Sequence, residues 1–371
     1  MFGSASINVN DLFDLSDRMA KGVNDNGVII NGAIIEGEIN DERLKNKALG
    51  INSHAEGSNT TASNVQAHAE GGGTTASGLQ SHAEGGGTTV SGSQSHAEGS
   101  STTASGMQSH AEGSNTTASN DQSHAEGNGT TASGARSHAE GTTGNSFSKT
   151  VNNVTYIKAG AYGYTSHSEG INALAIGVYS HAEGSNTTAS NNGSHAEGSN
   201  TTASGQSSHA EGNDTTASGQ SSHVEGRNTT ATGNYSHAEG YGTTATGNCS
   251  HAEGGSTTAS GTYSHAEGMD TTASGEKSHA EGGWTIANHR SQHVFGELNI
   301  ADPSSEPANN KGTYIEIVGN GTTFNARSNA RTLDWDGNET LAGSLTLGKG
   351  TADEVTITAA TLKALLSTIS S

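Results

Sequence analysis

The chain has 371 residues and a formal net charge of −21, from 16 basic and 37 acidic residues. This balance argues against nucleic acid and anionic membrane surfaces as partners, since both attract clusters of Lys and Arg. Hydrophobic residues make up 29% of the chain and aromatic residues 4%, which excludes a large apolar core, and the single cysteine, Cys249, excludes an internal disulfide.

The N-terminal region, residues 1–50, is predicted to attach the protein to a larger assembly. Residues 10–21 are predicted to form a short helix, because apolar residues recur there at helical spacing. Two apolar runs, at 28–30 and 33–35, are predicted to form short strands. No basic-then-apolar signal peptide and no run of about 20 apolar residues is present, so we expect synthesis in the cytoplasm and no membrane insertion.

Residues 51–298 contain a repeat of 14 residues, and 17 of the 18 histidines fall in register with it. The unit reads Ser-His-Ala-Glu-Gly, two variable residues, Thr-Thr-Ala-Ser-Gly, and two variable residues. Each five-residue half alternates with the period of a β-strand. We therefore predict an all-β fold with short terminal helices, in which each unit forms one coil of a parallel β-roll, or β-solenoid.

The alternation also predicts which side chains fill the roll. Two facing strands leave room only for small residues, so Ser53 and Ala55 are predicted to point inward, and His54 and Glu56 outward. An interior of Ala, Ser and Thr buries few methylene groups, at about 0.8 kcal/mol each. Ordering the chain costs about 1 kcal/mol or more per residue. We therefore expect neighbouring chains to cover one face and to form a homo-oligomer.

The turns carry the most variable residues. The Gly that ends each half is replaced in places by Asn, and both are predicted to adopt positive φ there (Asn64, Asn120, Asn191). One turn position holds five glutamines and, further on, three tyrosines: Gln66, Gln80, Gln94, Gln108, Gln122, Tyr179, Tyr235 and Tyr263. We predict a stacked ladder at this position, with sugar contact through the tyrosines as the alternative.

The repeat is interrupted between His138 and His167, which are 29 residues apart. This is two steps plus one residue, which predicts a disturbed coil and an excursion at 142–160. A hairpin is predicted around the Asn-Asn pair at 152–153. The next coil places apolar Leu174 and Ile176 where Thr and Ser usually point outward, so these side chains need a cover.

We predict that the hairpin provides this cover, in its own or a neighbouring chain. The side chains assigned to it are Val151, Val154, Tyr156 and Ile157, together with Tyr162 and Tyr164. The same segment is the predicted contact with a receptor, through Tyr156, Tyr162 and Tyr164.

Residues 299–371 follow the repeat. A polar loop at 299–312, a small β region at 313–357 and a C-terminal helix are predicted, the helix from the apolar stripe Leu362, Leu365, Leu366 and Ile369. The acidic residues of this region are expected in turns and at the surface rather than in a catalytic cleft (Asp334, Asp336, Glu339).

The coil resembles the head repeat of YadA-type trimeric adhesins, whose consensus is Asn-Ser-Val-Ala-Ile-Gly and which residues 173–177 approach closely. The Ser-His-Ala-Glu-Gly version is similar to a variant in tail and receptor-binding proteins of phages and prophages of Gram-positive bacteria. Residues 317–321, 326–330 and 333–338 resemble the segment that comes directly after the repeat in those proteins. The resemblance implies a trimer of left-handed parallel β-rolls.

In the family consensus the residues at the His and Glu positions face the trimer core. The resemblance therefore implies that these residues meet across subunits in hydrogen-bonded ladders: His54, Glu56, His68, Glu70, His82, Glu84, His181, Glu183, His195 and Glu197. A solvated polar face and a metal ion at a ring of three histidines are the alternatives, and we expect no cofactor. A Ser-His-Glu catalytic triad is disfavoured because Ser53 lies on the opposite face of its strand from His54.

The predicted function is that of a structural tail-fibre or spike protein in a phage, a prophage or a phage-like particle, and not that of an enzyme. The N-terminal region would bind other tail or baseplate proteins, and the fibre would bind a glycan or protein on the host surface. A trimeric cell-surface adhesin is the first alternative, although neither an export signal nor an anchor is visible. A fibre-borne glycan depolymerase is the second, and it needs an acidic cleft or a nucleophile outside the repeat.

Overall fold

The computed structural model describes residues 34–36, 46–343, 345–347, 355–358, 360 and 362. The predicted helix at 10–21 and strand at 28–30 lie outside these residues, as do Leu365, Leu366 and Ile369 of the predicted C-terminal helix. Leu362 has helical backbone, and its N–H donates to the carbonyl oxygen of Thr358. None of the helical segments in this part of the chain has the length and hydropathy that a bilayer crossing requires.

The chain divides into two compact units, Met1–Ser207 and Ser208–Ser371. In the first unit, a five-residue strand alternates along the chain with a two-residue strand, and one of each forms a coil. The long strands are Ile34–Glu36, which has three residues, His54–Ser58, His68–Gly72, His82–Gly86, His96–Ser100, His110–Ser114, His124–Asn128, His138–Thr142, His167–Ile171, His181–Ser185 and His195–Ser199. The short strands are Lys47–Ala48, Thr61–Ala62, Thr75–Ala76, Thr89–Val90, Thr103–Ala104, Thr117–Ala118, Thr131–Ala132, Gly160–Ala161, Leu174–Ala175, Thr188–Ala189 and Thr202–Ala203.

The second unit continues the alternation and then changes to longer strands. Its long roll strands are His209–Asn213, His223–Arg227, His237–Tyr241, His251–Gly255, His265–Met269, His279–Gly283 and His293–Glu297. Its short roll strands are Thr216–Ala217, Thr230–Ala231, Thr244–Ala245, Thr258–Ala259, Thr272–Ala273 and Ile286–Ala287. The later strands are Tyr314–Asn320, Asn329–Asp334, Glu339–Leu341, Leu345–Leu347 and Val355–Ile357.

Strand pairing confirms the predicted parallel β-roll. Within each unit, every long strand pairs in parallel with that of the next coil, so that His54 lies beside His68. Each short strand does the same, so that Thr61 lies beside Thr75. Identical residues therefore form rows along the roll, which is what a strict 14-residue step requires.

The interior is as narrow as the sequence predicts. The inward alanines are fully buried, for example Ala55 and Ala62, and they are flanked by buried Ser and Thr. Inward serines bond to the backbone, as Ser81 Oγ does by donating to the carbonyl oxygen of Gly78 at 2.7 Å. Valine replaces inward alanine at Val90, Val224 and Val294 and remains fully buried.

The turn chemistry differs in part from the prediction. The Gly that ends the first half of the unit has positive φ as expected, with 107° at Gly71. At the end of the second half, Asn64 is not left-handed, and Gln66 takes a φ of 55° instead. The N–H of Ala67 donates to the carbonyl oxygen of Asn64 at 3.2 Å. Asn64 is therefore the first residue of a β-turn whose third residue carries the positive φ.

The interruption is one coil with an insertion, not a disturbed coil plus an excursion. His138 pairs directly with His167, and Thr131 pairs directly with Gly160. The 29-residue step minus the 14-residue unit leaves 15 residues, 144–158. Thr143 Oγ1 closes the base of this insertion, because it accepts the N–H of Ala159 at 2.8 Å and donates to the carbonyl oxygen of Gly129 at 2.7 Å.

Within the insertion, Lys149–Val151 and Val154–Tyr156 form the predicted antiparallel hairpin. Asn152 and Asn153, at its turn, have φ of 50° and 64°. Two left-handed residues in a two-residue loop match the right-handed twist of the flanking strands.

The end of the second unit extends the sheet of long strands. Tyr314–Asn320 pairs in parallel with His293–Glu297 and antiparallel with Asn329–Asp334. The buried carboxylate of Asp302 anchors the intervening loop, accepting the Tyr314 N–H at 2.8 Å and the Gln292 amide at 3.2 Å. Asp334 lies in a turn as predicted, where its carboxylate accepts the N–H groups of Asp336 and Asn338.

Candidate functional site

The outward His and Glu side chains of the long strands form what we call the histidine–glutamate row. Successive imidazole rings lie against one another with centroids 4.6–5.0 Å apart in the first unit. In the second unit the spacing is 4.6–4.9 Å. The spacing follows from the in-register pairing of parallel strands.

Most of these His residues are close to the Glu two residues later but are generally not hydrogen-bonded to it. In the first unit the Nε2 atom lies 3.7–4.0 Å from the Oε2 atom of that Glu. His279 is different, because its Nε2 lies 3.1 Å from Oε1 of Glu267, on the preceding coil. A Glu in this row can therefore reach the His of the next coil.

Most Nε2 atoms in the row are buried against their own chain without a hydrogen-bond partner among the described residues. They belong to His68, His82, His96, His110, His124, His138, His167, His181, His223, His237, His251, His265 and His293. The side chains themselves remain partly open, with 34% of His68 and 44% of Glu70 exposed. The row is thus half-buried, with unused hydrogen-bonding capacity.

Burial lowers the pKa of several histidines in the row. The pKa of His68 is lowered chiefly by desolvation and further by the neighbouring His54, while Glu70 and its neighbours oppose the shift. The same causes lower the pKa of His96 and His181. Neutral imidazole is therefore favoured near pH 7, beside glutamates that lie directly next to one another, as Glu56 does to Glu70.

The ten residues predicted to form an intersubunit ladder, His54 to Glu197, all lie in this row. Whether the row contacts another subunit stays a prediction. Ser81 Oγ points into the roll, away from the row, so the structure does not bring an inward Ser together with the His beside it.

The row brings potential metal ligands together only loosely. In His68, Glu70 and His82 the donor atoms lie within 4.8 Å of one another, and the second unit repeats this at His237, Glu239 and His251. A zinc ion lies about 2.0–2.1 Å from each His nitrogen, so two ligand nitrogens cannot be more than about 4.2 Å apart. Stacked rings at this spacing would have to rotate to share an ion.

The three tyrosines predicted to contact a receptor have different environments. Tyr162 is largely buried, its hydroxyl donates to the carbonyl oxygen of Lys158 at 2.8 Å, and burial raises its pKa to about 12. The ring of Tyr156 packs on Tyr162 with centroids 4.7 Å apart. Tyr164 instead lies in the second turn of its coil, where its hydroxyl accepts a hydrogen bond from Arg136. Tyr156 and Tyr162 thus contact each other, Tyr164 contacts Arg136, and binding of a receptor through the three stays a prediction.

The predicted cover is seen only in part within one chain. Leu174 is fully buried and Ile176 is half-buried. Tyr162 lies on the same outward row as Ile176, which brings the hairpin to this face through Tyr156. Val154 and Ile157 do not contribute within the chain, since their side chains are 51% and 71% exposed. That the hairpin covers Leu174 stays a prediction.

The glutamines form the predicted ladder in the first unit. Each side-chain amide donates to the amide oxygen one coil earlier, from 3.0 Å for Gln80 to Gln66 up to 3.4 Å for Gln108 to Gln94. Tyr179, Tyr235 and Tyr263 occupy the same left-handed turn position and are 59–64% exposed.

Sequence reasoning did not find the cavity beside the insertion. Residues 144–149 and two turn asparagines, Asn172 and Asn186, line an open cavity of about 440 Å³. Residues 144–149 carry no recognisable motif. The available signal was the pair of asparagines at equivalent positions of adjacent coils.

Comparison with protein families matches the YadA head domain repeat (2 copies) at residues 48–63, 168–190, 196–222, 225–248 and 252–278. The matched segments of the roll are similar to YadA head repeats. The coils between the first two matched segments have the same strand lengths and register, so the same coil geometry continues through them. YadA head repeats indicate an adhesin-like fibre protein. No curated protein matches the chain.

Proposed function

We propose that this protein is a homotrimeric fibre protein of a phage, prophage or phage-like particle, and that it attaches the particle to a host surface. The YadA head repeats support the fibre. The observation that carries the trimer is the histidine–glutamate row, in which most buried Nε2 atoms, such as those of His68, His82 and His96, lack a hydrogen-bond partner among the described residues.

An unpaired buried polar group costs about 1–3 kcal/mol, and the row repeats this cost from coil to coil. A second chain facing the row supplies Glu carboxylates as acceptors and imidazole nitrogens as further partners, once rotation of the imidazole rings turns the buried Nε2 atoms toward it. The contact between His279 and Glu267, 3.1 Å apart, shows that the two side chains can reach hydrogen-bond distance. Imidazole N–H groups between neighbouring glutamates also weaken the repulsion between their charges.

The narrow interior supports the same proposal. Alanine dominates the inward positions, so each coil gains little from burial, and association adds buried surface that one chain lacks. In the trimer the long strands face the other subunits, and the short strands and the insertion remain outside. The insertion then contacts a host glycan or protein, and residues 1–50 bind other tail or baseplate proteins.

A trimeric cell-surface adhesin is the second candidate, and the match to YadA head repeats favours it equally. Antibodies against residues 313–371 distinguish the two proposals. Antibody seen on phage-like particles by electron microscopy supports the proposal that this protein is a fibre of such a particle. Label confined to the cell envelope of the producing bacterium supports the adhesin.

The trimer is tested by light scattering coupled to gel filtration. We expect a mass of about 112 kDa, three times the 37.3 kDa of one chain. Replacing Glu70, Glu84 and Glu98 by Lys should reduce the trimer fraction, because nine carboxylates that accept imidazole N–H groups would become cations that can only donate. The matched control replaces Thr75, Thr89 and Thr103, on the outer face, by Lys and should remain trimeric. A folded monomer of the unaltered chain at micromolar concentration would contradict the proposal.

A further inference from the structure

The cavity beside the insertion has preformed walls. The N–H of Gly144 donates to Oδ1 of Asn172 at 2.7 Å, which fixes the start of the insertion to the turn of the next coil. The N–H of Phe147 donates back to the carbonyl oxygen of Gly144 at 3.0 Å and closes a tight turn. The cavity has a volume of about 440 Å³, which is within the range of sites for small ligands, about 300–1,000 Å³.

Lys149 gives this cavity a positive charge. Within the described residues its ammonium makes no ion pair and no hydrogen bond, and the cavity lining contains no Asp or Glu. Desolvation lowers the pKa of Lys149, and no charged neighbour contributes. The other lysine of the insertion, Lys158, is already engaged, since its Nζ donates to the carbonyl oxygen of Asn115 at 2.8 Å.

The remaining lining supplies hydrogen bonds and an apolar surface. The side-chain amide of Asn172 uses one N–H on Oδ1 of Asn186 at 3.0 Å, which leaves the second N–H available. Ser146 and Ser148 add hydroxyl groups, and Phe147 adds a half-buried aromatic ring. A cation, amide and hydroxyl donors, and one aromatic ring together suit a polar ligand that has an apolar face and a negative charge.

We propose that this cavity binds an acidic saccharide, with Lys149 pairing with its anionic group and Phe147 packing against its ring. The proposal rests on the proposed attachment function and names the class of surface ligand. The anionic group is the carboxylate of an acidic sugar or the phosphate of a sugar phosphate. The net charge of −21 repels anions from the chain as a whole, so binding of an acidic ligand needs the local positive charge of Lys149.

The test is calorimetric titration of the full-length protein with three probes: glucuronic acid, glucose 1-phosphate and neutral N-acetylglucosamine. We expect at least one acidic probe to bind more tightly than the neutral one, with an affinity that falls as salt is added. Lys149→Gln should weaken that binding by about tenfold to a hundredfold, as expected for loss of a hydrogen bond to a charged group. The preferred acidic probe identifies the carboxylate or the phosphate as the source.

Lys277→Gln is the matched control, because Lys277 is an exposed lysine paired with Glu276 and lies outside the insertion. It should bind the probes as the unaltered protein does. Unchanged binding of an acidic probe by Lys149→Gln, or no preference for an acidic probe, would overturn the proposal. Adhesion to host envelopes that survives Lys149→Gln would refute the cavity and leave the attachment function standing. If the protein binds the acidic probe through Lys149 but does not adhere to host envelopes, the cavity proposal stands and the attachment function is refuted.

Discussion

The regular coils and the coil that carries the insertion differ twofold in length but not in strand geometry. His124 and His138, one regular coil apart, have ring centroids 4.7 Å apart, and His138 and His167, separated by the insertion, are 4.9 Å apart. The long strand has five residues in both cases. The roll therefore constrains its strands tightly and its turns loosely.

Close stacking of the backbone explains this contrast. A Cβ on Gly71 would lie 2.1 Å from the carbonyl oxygen of Gly85, and Gly141, just before the insertion, has the same 2.1 Å relation to Gly170. The glycine at the fourth position of the long strand is thus fixed in both kinds of coil. Two residues later the chain turns outward, and extra residues at that point displace nothing in the stack.

The largest effect is expected from adding one methyl group at this glycine. Gly71→Ala forces Ala into φ 107° and against the next coil, so we expect a loss of at least about 3 kcal/mol in the free energy of unfolding. Gly72→Ala is the adjacent control, because no atom lies within 4 Å of its Cβ position, and it should change stability by less than about 0.5 kcal/mol. Denaturant unfolding measures both variants. Similar losses of stability at the two positions would show that the close contact of Gly71 with Gly85 is not what constrains the coil.

Much of this contrast could be predicted from sequence, since strand alternation is a strong signal. It correctly placed Ala55 inside and His54 outside, because a one-residue slip would put imidazole into a space that holds only a methyl group. The left-handed turn residue was misplaced at Asn64 instead of Gln66, because turn class depends on chain closure more than on residue preference. The cavity was missed because six of its lining residues, 144–149, lie outside the 14-residue period that Asn172 and Asn186 follow.

A loss of stability of intermediate size is expected from replacing Leu174, the residue that the insertion is predicted to cover. Leu174→Thr should lower stability by about 1.5–3 kcal/mol, since Leu174 is fully buried and Thr is usual at this position. Deleting residues 144–158 should preserve the roll, because Thr143 and Ala159 are already joined by a 2.8 Å hydrogen bond. In the deletion variant, Leu174→Thr should cost much less. Equal costs in the two backgrounds, in a double-mutant cycle, would show that the insertion does not cover Leu174.

The smallest effect is expected from pH, because several histidines each change the free energy of unfolding by a small amount. Folding lowers the pKa of row histidines such as His68 and His138, mainly by desolvation, so the unfolded chain binds more protons than the folded one. Stability from this source is present above about pH 6.5, the usual value for His, and is lost as the pH falls below it. Solvent screening of these half-exposed rings keeps each contribution small.

We expect the unfolding midpoint to fall between pH 7.5 and 5.5, a window above the usual range of carboxylates. The row runs past the insertion without a break, so the variant lacking residues 144–158 should show the same fall. A midpoint that rises on acidification would mean that protonated imidazoles are favoured in the folded protein. A different response in the deletion variant would mean that the insertion perturbs the row.

The hydrogen-bonded neck at Thr143 and Ala159 makes the segment between them interchangeable. Any peptide whose ends meet at that distance can occupy the position without shifting a strand on either side. Natural variation, or an engineer grafting a foreign binding loop, can then alter what the protein recognises while the scaffold keeps its order. The insertion and the strands of the roll can evolve separately because the hydrogen bond at Thr143 Oγ1 closes the roll at the point where the insertion leaves it.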